Sequence, residues 1–264
     1  MLILLDIGNT AVTYGVYRGR KLSAFGSILF DSIPYFIDKK YKSGMNVDHI
    51  NIVISSVVPK NTDFLKTLIS KKNPKKFKIW IAGGNLPIPI RHRYKPGKLG
   101  TDRAVNIYGA LRLYKPPLLI LDYGTAITFD YVSRSGVFEG GMILPGPEIG
   151  FQALIKRAAL LPKKARLPRK AASFIGRDTY ECMRSGILEG YGALSDGLIE
   201  RFRERYGKNL KVIATGGFAS VLRPYTRLMD ITDPKHSIKS LFTLFTDFQK
   251  VTNPLGLTKK PLEP

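Results

Sequence analysis

The chain has 264 residues, 44% of them hydrophobic and 11% aromatic, which excludes a disordered chain and allows one large or two small domains. No apolar run nears the ~20 residues that cross a bilayer. A net charge of +22 attracts nucleic acid and anionic metabolites, yet only Lys71–Lys78 and Lys163–Lys170 form basic clusters, and neither has the pattern of a helix-turn-helix, a zinc finger or an RNA motif, so specific nucleic-acid binding is not expected.

In chain order, residues 2–6 read as a buried strand, and 11–17 alternate as its hairpin partner through Val12, Tyr14 and Val16. Arg18-Gly19-Arg20 is a turn and 21–30 a third strand. A helix over 31–45, a strand over 50–58, a helix over 61–72 and a strand over 77–82, closed by Gly83-Gly84-Asn85, complete an α/β lobe. Residues 86–100, with Pro87, Pro89, Pro96, Gly97 and Gly100, read as irregular. Thr101 is a candidate N-cap for a helix to about Tyr114, and Pro116-Pro117 marks a lobe boundary, dividing the chain into 1–116 and 117–264.

The second lobe repeats the plan. Strands are expected over 118–122, 125–132 and 137–144, then a helix over 148–161, a basic loop over 163–175 and a long helix over 179–205 carrying Gly186, Gly190, Gly192 and Gly197. A strand over 210–214, the turn Thr215-Gly216-Gly217, a short helix over 218–223, a strand over 229–232 and a helix over 235–250 follow. The N-terminal apolar stretch is broken at Asp6 with no basic segment before it, which argues against a signal peptide. The single cysteine, Cys182, fits a reducing cytoplasm and reads as a small hydrophobe packed in a helix.

Two apolar runs end in the same device. Leu2–Leu5 leads into Asp6-Ile7-Gly8-Asn9-Thr10, and Leu118–Leu121 into Asp122-Tyr123-Gly124-Thr125-Ala126, with the two aspartates 116 residues apart. Gly lets a backbone approach a phosphate, amides and hydroxyls donate to its oxygens, and Asp faces the counter-cation. Either stretch alone also fits a plain hairpin. As a pair they imply two similar α/β lobes facing each other across a nucleotide cleft. In Gly100-Thr101-Asp102-Arg103, Asp102 falls in the first turn of a helix, whose dipole favours the carboxylate that can accept a proton from an attacking hydroxyl. Arg103 can hold a carboxylate or phosphate bidentately. A helix-capping carboxylate beside a surface arginine is the plainer alternative. His49, His92 and His236 are widely separated, so no zinc cage is expected. Walker A and nucleophile-elbow sequences are absent.

These residues, with SSVVP at 55–59, YKPGKLGTDR at 94–103, GGMILPG at 140–146, IGRDT at 175–179 and ATGG at 214–217, resemble those of the type III pantothenate kinases over residues 2 to about 248. That family belongs to the actin-like ATPase superfamily, which includes acetate and sugar kinases. The resemblance implies duplicated ribonuclease H-like lobes and ATP-dependent phosphorylation of pantothenate, the first step of coenzyme A synthesis. It implies a phosphate loop across Asp6, Ile7, Gly8, Asn9, Thr10, Ala11, Val12 and Thr13, with Asp6 on Mg²⁺ and Thr125 at the nucleotide phosphates. Asp102 would be the catalytic base, and Tyr94, Gly100, Thr101, Arg103 and Thr179 would contact pantothenate. Asp122 would ligate K⁺ or NH₄⁺, and the site would be completed in a cytoplasmic homodimer. Thr101 and Lys95 depart from the family's usual residues, as does the stretch Ser237–Leu241. A non-catalytic DNA-associated regulator and a kinase for another small alcohol or acid are the rival readings.

Overall fold

The computed structural model describes residues 1–43, 49–72, 75–157, 167 and 173–252. The first apolar run forms β1 (Leu2–Ile7), in which every residue but Asp6 is buried. β1 pairs antiparallel with β2 (Val12–Arg18), and β2 with β3 (Lys21–Ile28). On its other side β1 runs parallel to β4 (Ile50–Ser56), and β4 to β5 (Phe77–Ile81). The order is β3-β2-β1-β4-β5. The parallel crossovers are α1 (Ile33–Ser43) and α2 (Pro59–Lys72). One sheet face buries Ile3, Leu5, Ile7, Val12, Ile52 and Ile54 with Ile33, Ile37, Leu65 and Ile69 of these helices.

The segment expected to be irregular contains a two-residue strand, β6 (Arg91–His92), before α3 (Thr101–Leu113). A second meander follows: β7 (Leu118–Tyr123), β8 (Ala126–Val132) and β9 (Val137–Pro145), antiparallel in turn. After α4 (Pro147–Arg157) and α5 (Thr179–Tyr206), β10 (Lys211–Thr215) lies parallel to β7. α6 (Ala219–Leu222) then leads to β11 (Ile231–Thr232), parallel to β10, and the chain continues into α7 (His236–Thr252). With β6 added beside β9, the order is β11-β10-β7-β8-β9-β6. The strand plan of the first sheet is therefore repeated. The buried face of the second sheet packs Leu119, Leu121, Tyr123 and Phe129 against Phe151, Leu188, Ile199 and Phe202 of α4 and α5.

The division into compact units is not the contiguous one expected from Pro116-Pro117. One unit comprises Met1–Pro89, Gly100–Arg112 and the segment from Ser237; the other comprises Ile90–Leu99 and Leu113–His236. The reason is packing. α7 carries buried Ile238, Leu241, Leu244 and Phe245 on one stripe. Phe242 stacks on Tyr17 of β2 with ring centroids 4.1 Å apart, and Phe245 and Phe248 meet the edge of Trp80 in β5 at 5.7 and 5.5 Å. The last helix of the second repeat thus belongs to the first unit.

Two local expectations are corrected. Gly100, not Thr101, caps α3: its carbonyl accepts from the Ala104 amide at 3.0 Å, and Thr101 is the first helical residue. Cys182 is exposed on α5 instead of packed, its thiol donating to the Gly176 carbonyl at 3.5 Å. The basic cluster at 163–170 lies outside the described residues except for Leu167, which is buried.

Candidate active site

In the first unit, strand register builds the site. Asp6 stands opposite Thr13 on β2 and Ser55 on β4, and Thr13 stands opposite Ser27 on β3. Side chains at one level of neighbouring strands share a face, so Ser27, Thr13, Asp6 and Ser55 form a polar row across the end of the sheet. Beyond it the chain turns tightly: the Gly8 amide donates to the Ala11 carbonyl at 3.1 Å, and Asn9 and Thr10 are exposed at the tip. Ile7 and Val12, counted in the phosphate loop from the sequence, bury their side chains in the core. Only their backbone is available to a ligand, because strand alternation turns them away from Asp6.

Asp102 joins this row from the first turn of α3. Burial and the Asp102 charge together push the Asp6 carboxyl up to about 6, while the hydroxyls of Ser55 and Ser237 pull it back down. The Asp102 carboxylate is itself turned back over its own helix start, accepting from the Arg103 amide at 2.8 Å. That pose needs glycine at 100: a Cβ there would lie 2.6 Å from Asp102 Oδ1. The Arg103 side chain is buried, not on the surface. Thr101 lies beside the Gly83 turn that follows β5, its hydroxyl 3.7 Å from where a Cβ of residue 83 would stand.

The remaining predicted residues lie in the second unit, where the register repeats. Asp122 stands opposite Thr128 on β8 and Thr215 on β10. Thr125 is at the hairpin tip, its carbonyl accepting from the Gly146 amide at 2.9 Å. Gly216 has φ +90° and presses on this acid: a Cβ there would meet Asp122 Oδ1 at 2.4 Å and the Tyr123 backbone at 2.6 and 2.7 Å. Tyr94 stacks on Phe138 at 5.3 Å. Thr179 is exposed at the first position of α5, whose N-cap Asp178 accepts from the Glu181 amide at 2.8 Å, while Glu181 accepts from the Arg177 amide at 3.0 Å.

Sequence reading missed the two serines on Asp6. Ser55 was visible inside SSVVP, and strand pairing of 50–58 with 2–6 would have placed it level with Asp6. Nothing in sequence spacing points to Ser237. Among the described residues no group of three or more His, Cys, Asp and Glu could hold a metal ion. Two neighbouring carboxylates flanked by hydroxyls instead fit Mg²⁺, which keeps waters and uses one or two carboxylates with substrate phosphates.

Two sheets of the same strand order, each ending its central strand in Asp-x-Gly, define a duplicated actin-like fold. In accord with this, the structure of MreB5 of Spiroplasma citri bound to ADP aligns over 96% of this chain and 98% of that one, at a TM-score of 0.54 and 12% identity. The family follows from the sequence itself. A family model for type III pantothenate kinase matches residues 2–201. The type III pantothenate kinase of Syntrophus aciditrophicus (strain SB) is 35% identical over 255 residues, covering 93% of this chain and 98% of the relative. That of Desulforapulum autotrophicum is 34% identical over 257 residues, covering 91% and 95%. The chain belongs to the type III pantothenate kinase family. Among the described residues, no helix is long and apolar enough to cross a membrane.

Proposed function

We propose that the protein transfers the γ-phosphoryl group of ATP to the hydroxyl of pantothenate, giving 4′-phosphopantothenate, the first step of coenzyme A synthesis in the cytoplasm. The observation that carries this reading, within a chain of this family, is the meeting of Asp6 and Asp102 at the end of the first sheet. Asp102 is the base: it orients the acceptor hydroxyl and takes its proton as the oxygen attacks. The α3 N-terminus and the amides of Asn9 and Thr10 at the tip of the Gly8–Ala11 turn would face developing negative charge on the phosphoryl oxygens. Thr10 and Thr13 add hydroxyl donors, and Asn9 an amide, to the same loop. Asp6 would hold Mg²⁺, which when bound neutralises charge on the donor phosphates. Most of the rate then comes from positioning and preorganised charge.

Gly100, Thr101 and Arg103 are assigned to pantothenate, as are Tyr94 and Thr179. In the second unit Thr125 is assigned to the nucleotide and Asp122 to a monovalent cation, K⁺ or NH₄⁺. A homodimer is part of this reading. Supporting it, Gly186, Gly190 and Ala193 form an exposed small-residue stripe on α5, and Gly186, Gly190 and Gly197 face open space; only Gly192 is packed inside, against Tyr225. Ile143, Phe174 and Ile175 are also exposed in this unit, at 60, 75 and 73%, a concentration of apolar surface that marks interfaces.

A coupled turnover assay with pantothenate, ATP and Mg²⁺, run with and without K⁺, tests the function. ADP release that requires pantothenate is the expected result; its absence overturns the reading. Sedimentation at micromolar concentration tests the dimer, and a monomer would remove that part of the proposal.

A further inference from the structure

Asp6 is approached from three directions: by Thr13 and Ser55 within its own sheet, by Asp102 from α3, and by Ser237 from the first turn of α7. The first two belong to the phosphate loop and the catalytic turn. The third comes from 231 positions along the chain and has no part in the reading above.

The helix that presents Ser237 is held at four points, against β2 on one side and α3 on the other. Ile238 lies directly over Gly15 of β2, two residues from Thr13, which puts the start of the helix on the sheet face that carries Asp6. Ser240 sits against Gly109, so α3 and α7 cross at close range. Phe242 stacks on Tyr17, and Asp247 gathers Tyr108 Oη at 2.9 Å, Arg112 Nε at 2.8 Å and Lys250 Nζ at 3.1 Å. Tyr108 and Arg112 belong to α3, the helix that carries Asp102. The same contacts therefore fix the Ser237 hydroxyl and the Asp102 carboxylate relative to one sheet. A hydroxyl presented by a packed helix donates to a carboxylate with little ordering cost at the moment of binding, unlike one on a free loop.

We propose that Ser237 is a positioning residue: its hydroxyl donates to the Asp6 carboxylate and holds it in the orientation in which its remaining lone pairs face the divalent cation of the nucleotide. This rests on the kinase reading above. Hydrogen-bond partners of ligating groups set ligand orientation, and their loss costs about 10- to 100-fold in metal affinity. An alanine at 237 would remove the donor that α7 supplies and leave Asp6 free to turn out of that orientation.

The test measures Mn²⁺ binding in the presence of ADP by electron paramagnetic resonance, alongside the Mg²⁺ concentration for half-maximal turnover. Ser237→Ala should weaken Mn²⁺ at least about tenfold and raise the Mg²⁺ requirement in parallel, with the KM for pantothenate unchanged. Ser237→Thr, which keeps the hydroxyl, should stay within about twofold of wild type. Ser240→Ala, three residues on and turned to α3, should cost melting temperature without moving the Mn²⁺ affinity. If Ser237→Ala does not fold, Ser237→Cys, with a weak thiol donor in nearly the same volume, carries the same measurement and should fall between wild type and a tenfold loss. An Mn²⁺ affinity unchanged in Ser237→Ala, or lowered equally in Ser240→Ala, overturns the proposal, as does a wild-type protein that binds no Mn²⁺ with ADP. Failure of the kinase reading is seen separately, as wild-type protein that binds Mn²⁺·ADP but does not phosphorylate pantothenate.

Discussion

The two central acids of the molecule occupy the same place in the same strand plan, and their surroundings differ. Asp6 is level with Thr13 and Ser55; Asp122 is level with Thr128 and Thr215. Each acid is one residue from the end of its strand and two from a glycine that starts the hairpin turn. What lies next to each acid is different. Ser56 follows Ser55 in the first unit, and its hydroxyl accepts from the Val58 amide at 3.1 Å. Gly216 follows Thr215 in the second, and its backbone closes directly on Asp122. The hairpin tips are alike in exposure, with Asn9, Thr10 and Thr125 all at the surface, and differ in that the Thr125 carbonyl is tied to the Gly146 amide. A duplicated scaffold has thus produced one acid with a second carboxylate beside it, and one enclosed by backbone. In the proposed function the first arrangement, with Asp102, serves phosphoryl transfer, and the second serves to hold a cation.

The sharpest way to break this contrast is at Asp102. Asp102→Asn keeps the shape and removes the proposed base, and kcat should fall about 10²- to 10⁴-fold with the KM for ATP little changed. Near-normal turnover would show that the second carboxylate is not what distinguishes the first acid. Next in size is Gly216→Ala. The methyl would meet both Asp122 and the Tyr123 backbone, and φ +90° is strained for any residue with a Cβ. Overpacking and strain together should cost about 2–4 kcal/mol, read as a melting temperature lower by roughly 5–10 °C. No non-glycine residue among those described has positive φ, so the counterpart Ser56 needs no such freedom. Gly100→Ala is subtler. Its methyl would push against the Asp102 carboxylate, and displacing a catalytic group by about 1 Å costs on the order of 10²-fold. We expect kcat to fall about 10- to 100-fold with the melting temperature nearly unchanged; a pure stability loss would mean that Gly100 serves the helix and not the acid.

Much of this was legible in the sequence because it is local. The alternation of Val12, Tyr14 and Val16, the apolar runs ending in Asp-x-Gly, and the proline and glycine breaks define strands, turns and the repeat before any tertiary contact is known. That Ile7 and Val12 point away from Asp6 also follows from strand period. What escaped depends on distant partners. A two-residue strand such as β6 exists only because β9 offers an edge to Arg91 and His92. The assignment of α7 to the first unit rests on Tyr17 and Trp80, far earlier in the chain, and with it came Ser237 beside Asp6. Cys182 looked like core because cysteine usually is, but α5 turns that position outward.

The smallest effect concerns the resting charge of the first acid. Burial and the neighbouring Asp102 raise the Asp6 carboxyl from an ordinary 3.8 to about 6, so the folded state binds this proton more tightly than the unfolded chain does. The stabilisation this provides is complete below about pH 4 and is lost as pH rises through 6. Above that, an ionised Asp6 costs the metal-free protein at most about 3 kcal/mol, and roughly half of that is realistic for a carboxylate that is not fully enclosed. Asp6→Asn should therefore be more stable than wild type at pH 7.5 by about 1–2 kcal/mol, and equal to it near pH 4, in urea denaturation without metal. The same substitution should abolish turnover and remove the stabilisation that Mg²⁺·ADP gives to wild type. A stability difference that does not change between pH 4 and 7.5 would mean that the charge at Asp6 is already compensated in the folded protein. The contrast with Asp122 would then rest on access alone. The predicted pH dependence instead makes Asp6, the proposed Mg²⁺ ligand, the acid that the fold leaves uncompensated until its ligand arrives.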